Sequence, residues 1–500
     1  MRQMLGNSVI FQVDGCYPYK GFRGYRYISG LELEGFPQYN DYDSFSQSFQ
    51  QLQQYSEKTD YPNHFSYPFT KQVTTVFGDE YENGEKTDYR FRIGLAAACL
   101  TGNPHPYAAF KEGVGGIENE GTFGIFDWDE YYGGDLNEIG WLGEPLNDAQ
   151  RDMGFGPDLL AGESWTLRAI DPYEGCLSNK WDGSYEVHVT SIPEGGSHQY
   201  NQVALVSSSP ILLVPGQEYT IVFDAIGTAS WTVGSNTLNR VPSLIRVGFG
   251  ADKKSDVTVD MSWNTYYLSA VAATNSTQIE FALAEQIGMR RIKNIRLYAG
   301  GGDRFIRDFT NGLVILNASR TAWTNNINGV YRRLRATPHP VTGELMAEDV
   351  NDGSFIGDNV VIPAMDAVFL KKMYGWFYFE SHAFGNRLKS VDGETAFDLT
   401  GDYGGRVQWQ LTPADGEYYY IENMTYDNQR LKAVDGLNAF DLTDDYGDKV
   451  QWRLGRAEGE YYYLENKAFD NRRLRSDDGG TSFSLTDITG GQVQWRLVSP

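Results

Sequence analysis

Carboxylates end the strand-like segments of the first 150 residues. Asp14 follows FQV, Glu32 and Glu34 lie in GLELEGF, Asp79 and Glu80 follow TTVFG, and Asp127, Asp129 and Glu130 lie in FDWDEYY. Parallel strands that close into a barrel bring their C-terminal ends to one mouth, where barrel enzymes carry their catalytic groups. Acids crowded at such a mouth repel one another, so some keep a proton near neutral pH while others stay ionised. That division suits the acid and the base or nucleophile of glycoside hydrolysis. Trp128, Tyr131, Tyr132 and Trp141 nearby would offer flat faces to sugar rings. Taken singly, strand-end acids serve equally as loop solvation and helix caps. Their recurrence at four successive strand ends makes the catalytic reading an even rival.

The elements that would position these acids alternate. Ser8 to Asp14 is a nearly continuous apolar run, as in a strand buried on both faces, and 30–35, 71–77 and 122–128 are further strand candidates. Between them, Phe45, Phe49 and Leu52 share one helical face after Asp43 and Ser44, and DYRFRIGLAAACL follows Thr87 as a second helix. Strand, helix, strand, helix predicts a parallel α/β sheet.

Beyond residue 155 only strand signals remain. Alternation at Tyr219, Ile221 and Phe223 and at Ile279, Phe281 and Leu283, with Pro215-Gly216 as a turn, predicts an antiparallel sandwich over 155–302. Residues 303–373 continue in β character and are small enough for an accessory sandwich or a cap. From 374 the chain repeats itself. Gln408-Trp409, Gln451-Trp452 and Gln494-Trp495 recur every 43 residues, with Arg387-Leu388, Arg430-Leu431, Arg473-Leu474 and three Asp-Gly turns in step. Three units of short strands that cannot bury their faces singly predict a β-trefoil over 374–500. The tryptophans, alternating with Val and Leu, read as inward core positions.

Composition narrows the partners. The 66 acidic residues exceed the 42 basic ones to give a net charge of −24, a field that repels nucleic acid, anionic membranes and sulfated or uronic polymers. No apolar run approaches the roughly 20 residues of a bilayer span, so no membrane partner is expected. Three cysteines, Cys16, Cys99 and Cys176, make neither a disulfide framework nor a zinc site. There is no GxSxG, GxxxxGK[ST] or HExxH pattern. No metal or other cofactor is expected in catalysis. Asp441, Asp444, Asp445 and Asp448 offer oxygen ligands for a structural calcium, although without an EF-hand pattern, and solvated turns explain them as well.

The run from ISGLELEGF through RIGLAAACLTGN to FDWDEYYGGDLNEIGWLGEPL, followed by RDFTNGLVILNAS and VVIPAMDAVFLKK, resembles a family of glycoside hydrolase TIM barrels. In these, the C-terminal half carries an LEG strand and a DEY strand and leads into a β domain opening with R-x-F-x-N-G-x-V-x-x-N. The resemblance covers about residues 1–150 and 303–372. It implies Glu34 in the place of the strand glutamate, Asp129 and Glu130 in that of the DEY acids, and Arg307, Phe309, Asn311 and Gly312 at the opening of the β domain; the expected roles are Glu34 as general acid and Asp129 or Glu130 as its partner, with the strand-end acids Asp14 and Asp127 assisting. Only four of the eight barrel strands are in view. A lone half barrel would leave unpaired edges and an uncovered apolar face, so either a missing barrel half or a second copy of the chain is expected to complete it.

Two further resemblances concern the β modules. Trp165 to Ala299 is similar to jelly-roll carbohydrate-binding modules of the family 4/9 type, inserted between the barrel and the β domain. Trp181, Tyr185, Tyr200, Trp231 and Trp263 are its candidate sugar platforms, with core packing competing for each ring. The QxW repeats resemble ricin-like (R-type lectin) trefoils, but Lys389, Lys432 and Arg475 stand where sugar-binding repeats place an acid, so the usual pocket does not transfer. The expected organisation is a barrel half at 1–154, a jelly roll at 155–302, an accessory β domain at 303–373 and a trefoil at 374–500. The expected function is polysaccharide hydrolysis, with Trp128, Tyr131, Trp141, Trp181 and Trp231 contacting substrate. A glycan-binding or adhesion protein with a remnant half barrel is the alternative. The resemblance implies an extracellular, secreted protein, although the N-terminal stretch lacks an apolar signal-peptide core.

Overall fold

A computed structural model of the chain describes residues 12–14, 29–34, 36, 45–58, 66–73, 88–104, 107–110, 129–134, 140–193, 200–233, 236–248, 254–337, 350–427, 429–498 and 500. The chain opens with β1 (Gln12–Asp14), β2 (Gly30–Glu34), α1 (Phe45–Lys58), β3 (Tyr67–Val73), α2 (Asp88–Thr101), β4 (Tyr107–Phe110) and the single turn α3 (Asp129–Tyr132). The four strands form one sheet in the order β1-β2-β3-β4, every pair parallel. The third strand begins four residues earlier than the apolar pattern suggests and carries Pro68, a residue that argues against a strand interior. The strand candidate at 122–128 lies outside the described residues, and β4 had no strong sequence signal.

Two helices cover this sheet for different reasons. In α1, Phe45, Phe49 and Leu52 recur at i, i+4 and i+7, and they are buried against Leu31, Leu33 and Phe36. The residues of α2 from Phe91 to Ala98 are all buried, and a helix apolar on every side must sit between two layers. The second layer is a six-stranded antiparallel sheet ordered Phe355–Ile356, Tyr331–Arg333, Asp366–Lys372, Gly312–Asn317, Arg304–Asp308 and Gln150–Arg151. Its Phe305, Phe309, Val314, Leu316 and Phe369 share one core with Phe49, Phe91 and Ile93. Arg92 in that interface is held by Asp366 through two parallel hydrogen bonds of 2.7 Å.

The strand Gln150–Arg151 precedes the long β module and its partner Arg304–Asp308 follows it, with Phe305 opposite Arg151. The module between them leaves and re-enters at adjacent strands, as an insertion. It is a two-sheet sandwich. One sheet orders Asn236–Val241, Glu218–Val233, Gly288–Ala299, Tyr185–Ser191 and Glu174–Asn179, with Asn264–Val271 also on Glu218–Val233. The other orders Lys254–Val259, Ser243–Gly248, Glu280–Ala282, Val203–Ser207 and Trp165–Ala169. Tyr219, Ile221, Phe223, Ile279, Phe281 and Leu283 all point between the sheets. The sandwich docks on α1 through glutamines. The Asp256 amide donates to Gln47 at 3.1 Å, the Thr258 hydroxyl to Gln51 at 3.0 Å, and Gln54 to the Thr258 carbonyl at 2.8 Å.

Residues from Phe377 onward form the β-trefoil. Trp409, Trp452 and Trp495 are each 0% exposed. Their indole N–H groups donate to the carbonyls of Leu388, Leu431 and Leu474 at 2.8, 2.7 and 2.9 Å. Strand Gln494–Val498 pairs with Phe377–Ser381, so the last lobe closes on the first. The Asp-Gly turns make the same closure. Gly393, Gly436 and Gly479 have φ of +82°, +72° and +74°, and each lies under an aromatic ring of the following lobe, Tyr426, Phe469 and, around the ring, Phe384. Any Cβ there would strike that ring at 2.4–2.6 Å, so the repeat keeps glycine for contact as well as for conformation.

Two outcomes follow. Trp452→Ala should cost the trefoil about 3–5 kcal/mol, read in the full chain as a fall on the order of a hundredfold or more in hydrogen-exchange protection of the second lobe; unchanged protection would show that the ring bears no core. The second concerns acid. The Asp392, Asp435 and Asp478 carboxylates accept backbone N–H bonds, led by Glu394, Leu437 and Gly480, which hold their pKa below the ordinary range. A depressed folded pKa stabilises above the unfolded value of about 3.9 and is lost as pH falls through the folded one. Wild type should therefore outlast the Asp392→Asn, Asp435→Asn, Asp478→Asn triple variant at neutral pH. The gap in melting temperature should shrink below about pH 4.

Candidate functional site

Strand alternation sets the acids of the parallel sheet. Leu31 and Leu33 are buried among the helices, so Glu32 belongs to the opposite face. The strand pairing aligns Asp14 with Glu32 and Glu32 with Tyr67, making one row across β1, β2 and β3, and sets Glu34 beside Phe69 in the next row. The Tyr67 hydroxyl donates to the Glu32 carboxylate at 2.8 Å. Of these residues, the side chains of Asp14 and Glu34 lie outside the described residues, as do Asp79, Glu80, Asp127 and Trp128 altogether. Glu32 is the row member that the choice of Glu34 passed over, although the GLELE alternation already put both on one face.

Asp129 and Glu130 have a different setting. They start α3, are 4% and 2% exposed, and reach across to the second sheet. Asp129 accepts from the Thr337 amide at 3.1 Å and hydroxyl at 2.5 Å; Glu130 accepts from Asn351 at 2.9 Å and lies 3.9 Å from Arg92. Trp141 donates its indole N–H to the Glu130 carbonyl at 2.8 Å and is itself buried, with Gly133 pressed against its ring. Tyr131 and Tyr132 are half-buried and meet edge to face at 5.6 Å. This group staples α3 to the second sheet. Cys99 offers no nucleophile, because burial pushes its thiol up to about 12.

The sandwich presents the most exposed aromatic ring among the described residues. Trp181 stands 97% exposed on the turn between Glu174–Asn179 and Tyr185–Ser191. The turn is fixed: the Lys180 amide donates to the Ser184 carbonyl at 2.9 Å, and Asp182 accepts from the Ser184 amide and hydroxyl at 3.2 and 2.7 Å. Asp182 also pairs with Arg291 at 2.8 Å and approaches Lys293 at 3.9 Å. The same two cations lie over Trp263, Lys293 at 4.4 Å and Arg291 at 5.4 Å from the ring centroid. The Ser184 hydroxyl and Arg291 together hold the Asp182 carboxyl below its ordinary range. One patch thus joins two tryptophans, a fixed carboxylate and two cations, with Glu186 3.9 Å from Arg291. Of the other candidate rings, Tyr200 is buried beneath Arg246 at 3.7 Å, Tyr185 is half-buried, and the Trp231 side chain lies outside the described residues.

The trefoil explains its own basic repeats. Arg387 lies between Tyr378 and Tyr403 at 4.7 and 4.1 Å, and Arg430 between Tyr420 and Tyr446 at 4.8 and 3.9 Å, while Arg473 covers Tyr463 at 4.1 Å. Lys389 and Lys432 pair with Asp402 and Asp445 across their hairpins at 2.7 and 2.6 Å. Asp448 meets Lys467 at 3.0 Å. Among the described residues no three acidic, histidine or cysteine side chains are placed to share a metal ion.

No family model matches the sequence, and no curated protein matches it. Similar solved structures cover about a quarter of the chain. The designed threefold-symmetric protein ThreeFoil is 21% identical over 25% of this chain and 99% of its own, with a TM-score of 0.23. SeviL bound to asialo-GM1 saccharide is 20% identical over 25% of this chain and 98% of its own, with a TM-score of 0.22. BiXyn10A CBM1 in its apo form is 13% identical over 28% of this chain and 94% of its own, with a TM-score of 0.23.

Proposed function

We propose that this chain binds glycans, with the sandwich as its principal binding module and the trefoil as a further one. The observation that carries this is Trp181, a whole indole kept in water on a turn too well braced to fold it away. Leaving a large aromatic exposed forgoes roughly 1.5–3 kcal/mol of burial, and an indole held in water beside polar groups offers a ligand one apolar face with hydrogen-bonding partners at its edge. A pyranose ring stacks on such a face while Asp182, Glu186 and Arg291 stand ready to hydrogen-bond its hydroxyls. The net charge of −24 favours neutral polysaccharides at this surface. Trp181→Ala should weaken retention on neutral polysaccharides in affinity electrophoresis at least tenfold without moving the melting temperature. Retention equal to wild type on every polysaccharide that binds would overturn the reading.

Glycoside hydrolysis is the second reading, favoured by the row of Asp14, Glu32 and Tyr67 across three parallel strands, with Glu34 in the next row. On this reading the catalytic pair is drawn from Glu32, Glu34 and Asp14, while Asp129 and Glu130 act as buried struts. Glu34→Gln should lower turnover by orders of magnitude with little change in polysaccharide affinity, because it removes a proton donor and keeps the shape. Asp129→Asn should instead lower the melting temperature. Full turnover in the Glu34 variant would remove that residue from the mechanism.

A further inference from the structure

Strand Gly288–Ala299 of the sandwich carries an arginine where its alternation calls for an apolar side chain. Arg290 shares the inward face with Ile292, pairs with Val187 and Gly227 on the two neighbouring strands, and is 0% exposed. Its Nη1 donates to the carbonyls of Gln286 at 2.7 Å and Gly288 at 3.1 Å. Its Nε and Nη2 meet no acceptor among the described residues. Burial pushes the guanidinium down to about 9, so it remains charged at neutral pH, and Glu285, whose field favours that charge, hydrogen-bonds neither free nitrogen.

Two more buried donors stand beside it. Gln286, 3% exposed, commits its Oε1 to the Leu244 amide at 3.0 Å, which leaves its Nε2 without an acceptor. Ser243, the residue before Leu244, is fully buried with its hydroxyl unpaired, held over Gly227 where any Cβ would strike it. The group is contiguous: the Gln286 carbonyl holds Arg290, its side chain holds Leu244, and Gly227 adjoins Arg290 in one sheet and Ser243 of the other. A buried charge without a counter-charge is strongly destabilising, and each buried donor without an acceptor adds to the cost. Water answers this poorly, because it brings two protons that need acceptors of their own, and the unpaired groups here are donors. An anion only accepts, and it neutralises the cation.

We propose that Arg290, Gln286 and Ser243 hold a small inorganic anion, chloride in ordinary salt, inside the sandwich. Their complete enclosure restricts the occupant to an ion of about that size, and the site does not rest on glycan binding at Trp181. Hydrogen exchange on the full chain in chloride, bromide or gluconate at one ionic strength tests it. Amides of Gly288–Ala299 should gain about tenfold or more in protection in saturating chloride or bromide over gluconate, as a ligand of the folded state alone requires, while those of the trefoil should not change. Arg290→Met, which keeps the length and removes the charge, should lose that gain. Gln286→Glu, which puts a carboxylate beside Arg290 and keeps the acceptor for Leu244, should show in gluconate the protection that wild type reaches in chloride. Crystals grown in bromide should show an anomalous peak beside Nε and Nη2 of Arg290. Equal protection in chloride and gluconate would leave water as the occupant and overturn the proposal, as would a bromide crystal with no peak there or a gain that persists in Arg290→Met. Should that variant fail to fold, Gln286→Glu decides: a chloride gain as large as that of wild type sinks the idea.

Discussion

A helix with no polar face cannot lie on a surface, and α2 is such a helix. Buried from Phe91 to Ala98, it requires a layer on each side. The parallel sheet supplies one and the antiparallel sheet of residues 150–372 supplies the other. Arg92, the charge within that interface, would be costly alone, and the two-pronged contact with Asp366 makes its burial tolerable. The same closure brings α3 against Thr337 and Asn351, which is why Asp129 and Glu130 are buried. An isolated parallel sheet would expose the side that the second sheet covers. The helix layer is therefore common property of both sheets.

What could be read in advance follows the range of the interactions. The trefoil was legible because its determinants repeat locally: each Gln-Trp, Arg-Leu and Asp-Gly recurs in step, and the burial of the tryptophans follows from alternation. The apolar stripe of α1 was legible for the same reason. Its glutamine stripe was not, since Gln47, Gln51 and Gln54 look like a solvated face until Asp256 and Thr258, some 200 residues on, arrive to bond them. β4 is four residues of weak pattern, and Pro68 disguised the start of β3.

The candidate sites divide along the same line. Asp129 and Glu130 have the residue types of an acid pair, but the partners that bury them are more than 200 residues away in the sequence. Trp181 carried a local signal, since it directly precedes Asp-Gly, and a ring at the tip of a tight hairpin has nothing to pack against. Glu32 was equally available, two residues before Glu34 on the same face. Lys389 and Lys432, which looked like the loss of a sugar pocket, pair with Asp402 and Asp445, while Arg387 and Arg430 hold the first two lobes by lying between tyrosines.

The adjoining ends of the sandwich bear on how the chain assembles. Arg151 and Phe305 pair across the whole inserted module, a contact that an unfolded chain would form only after closing a very long loop. Loop closure grows slowly with length, about 0.6 kcal/mol per doubling, but the search for such distant partners slows folding. A sandwich that folds first holds its two ends side by side and turns that distant pairing into a local one. The order of events is then set by topology: the insertion acts as a hairpin turn made of a whole domain, and the sheet that carries it completes afterwards.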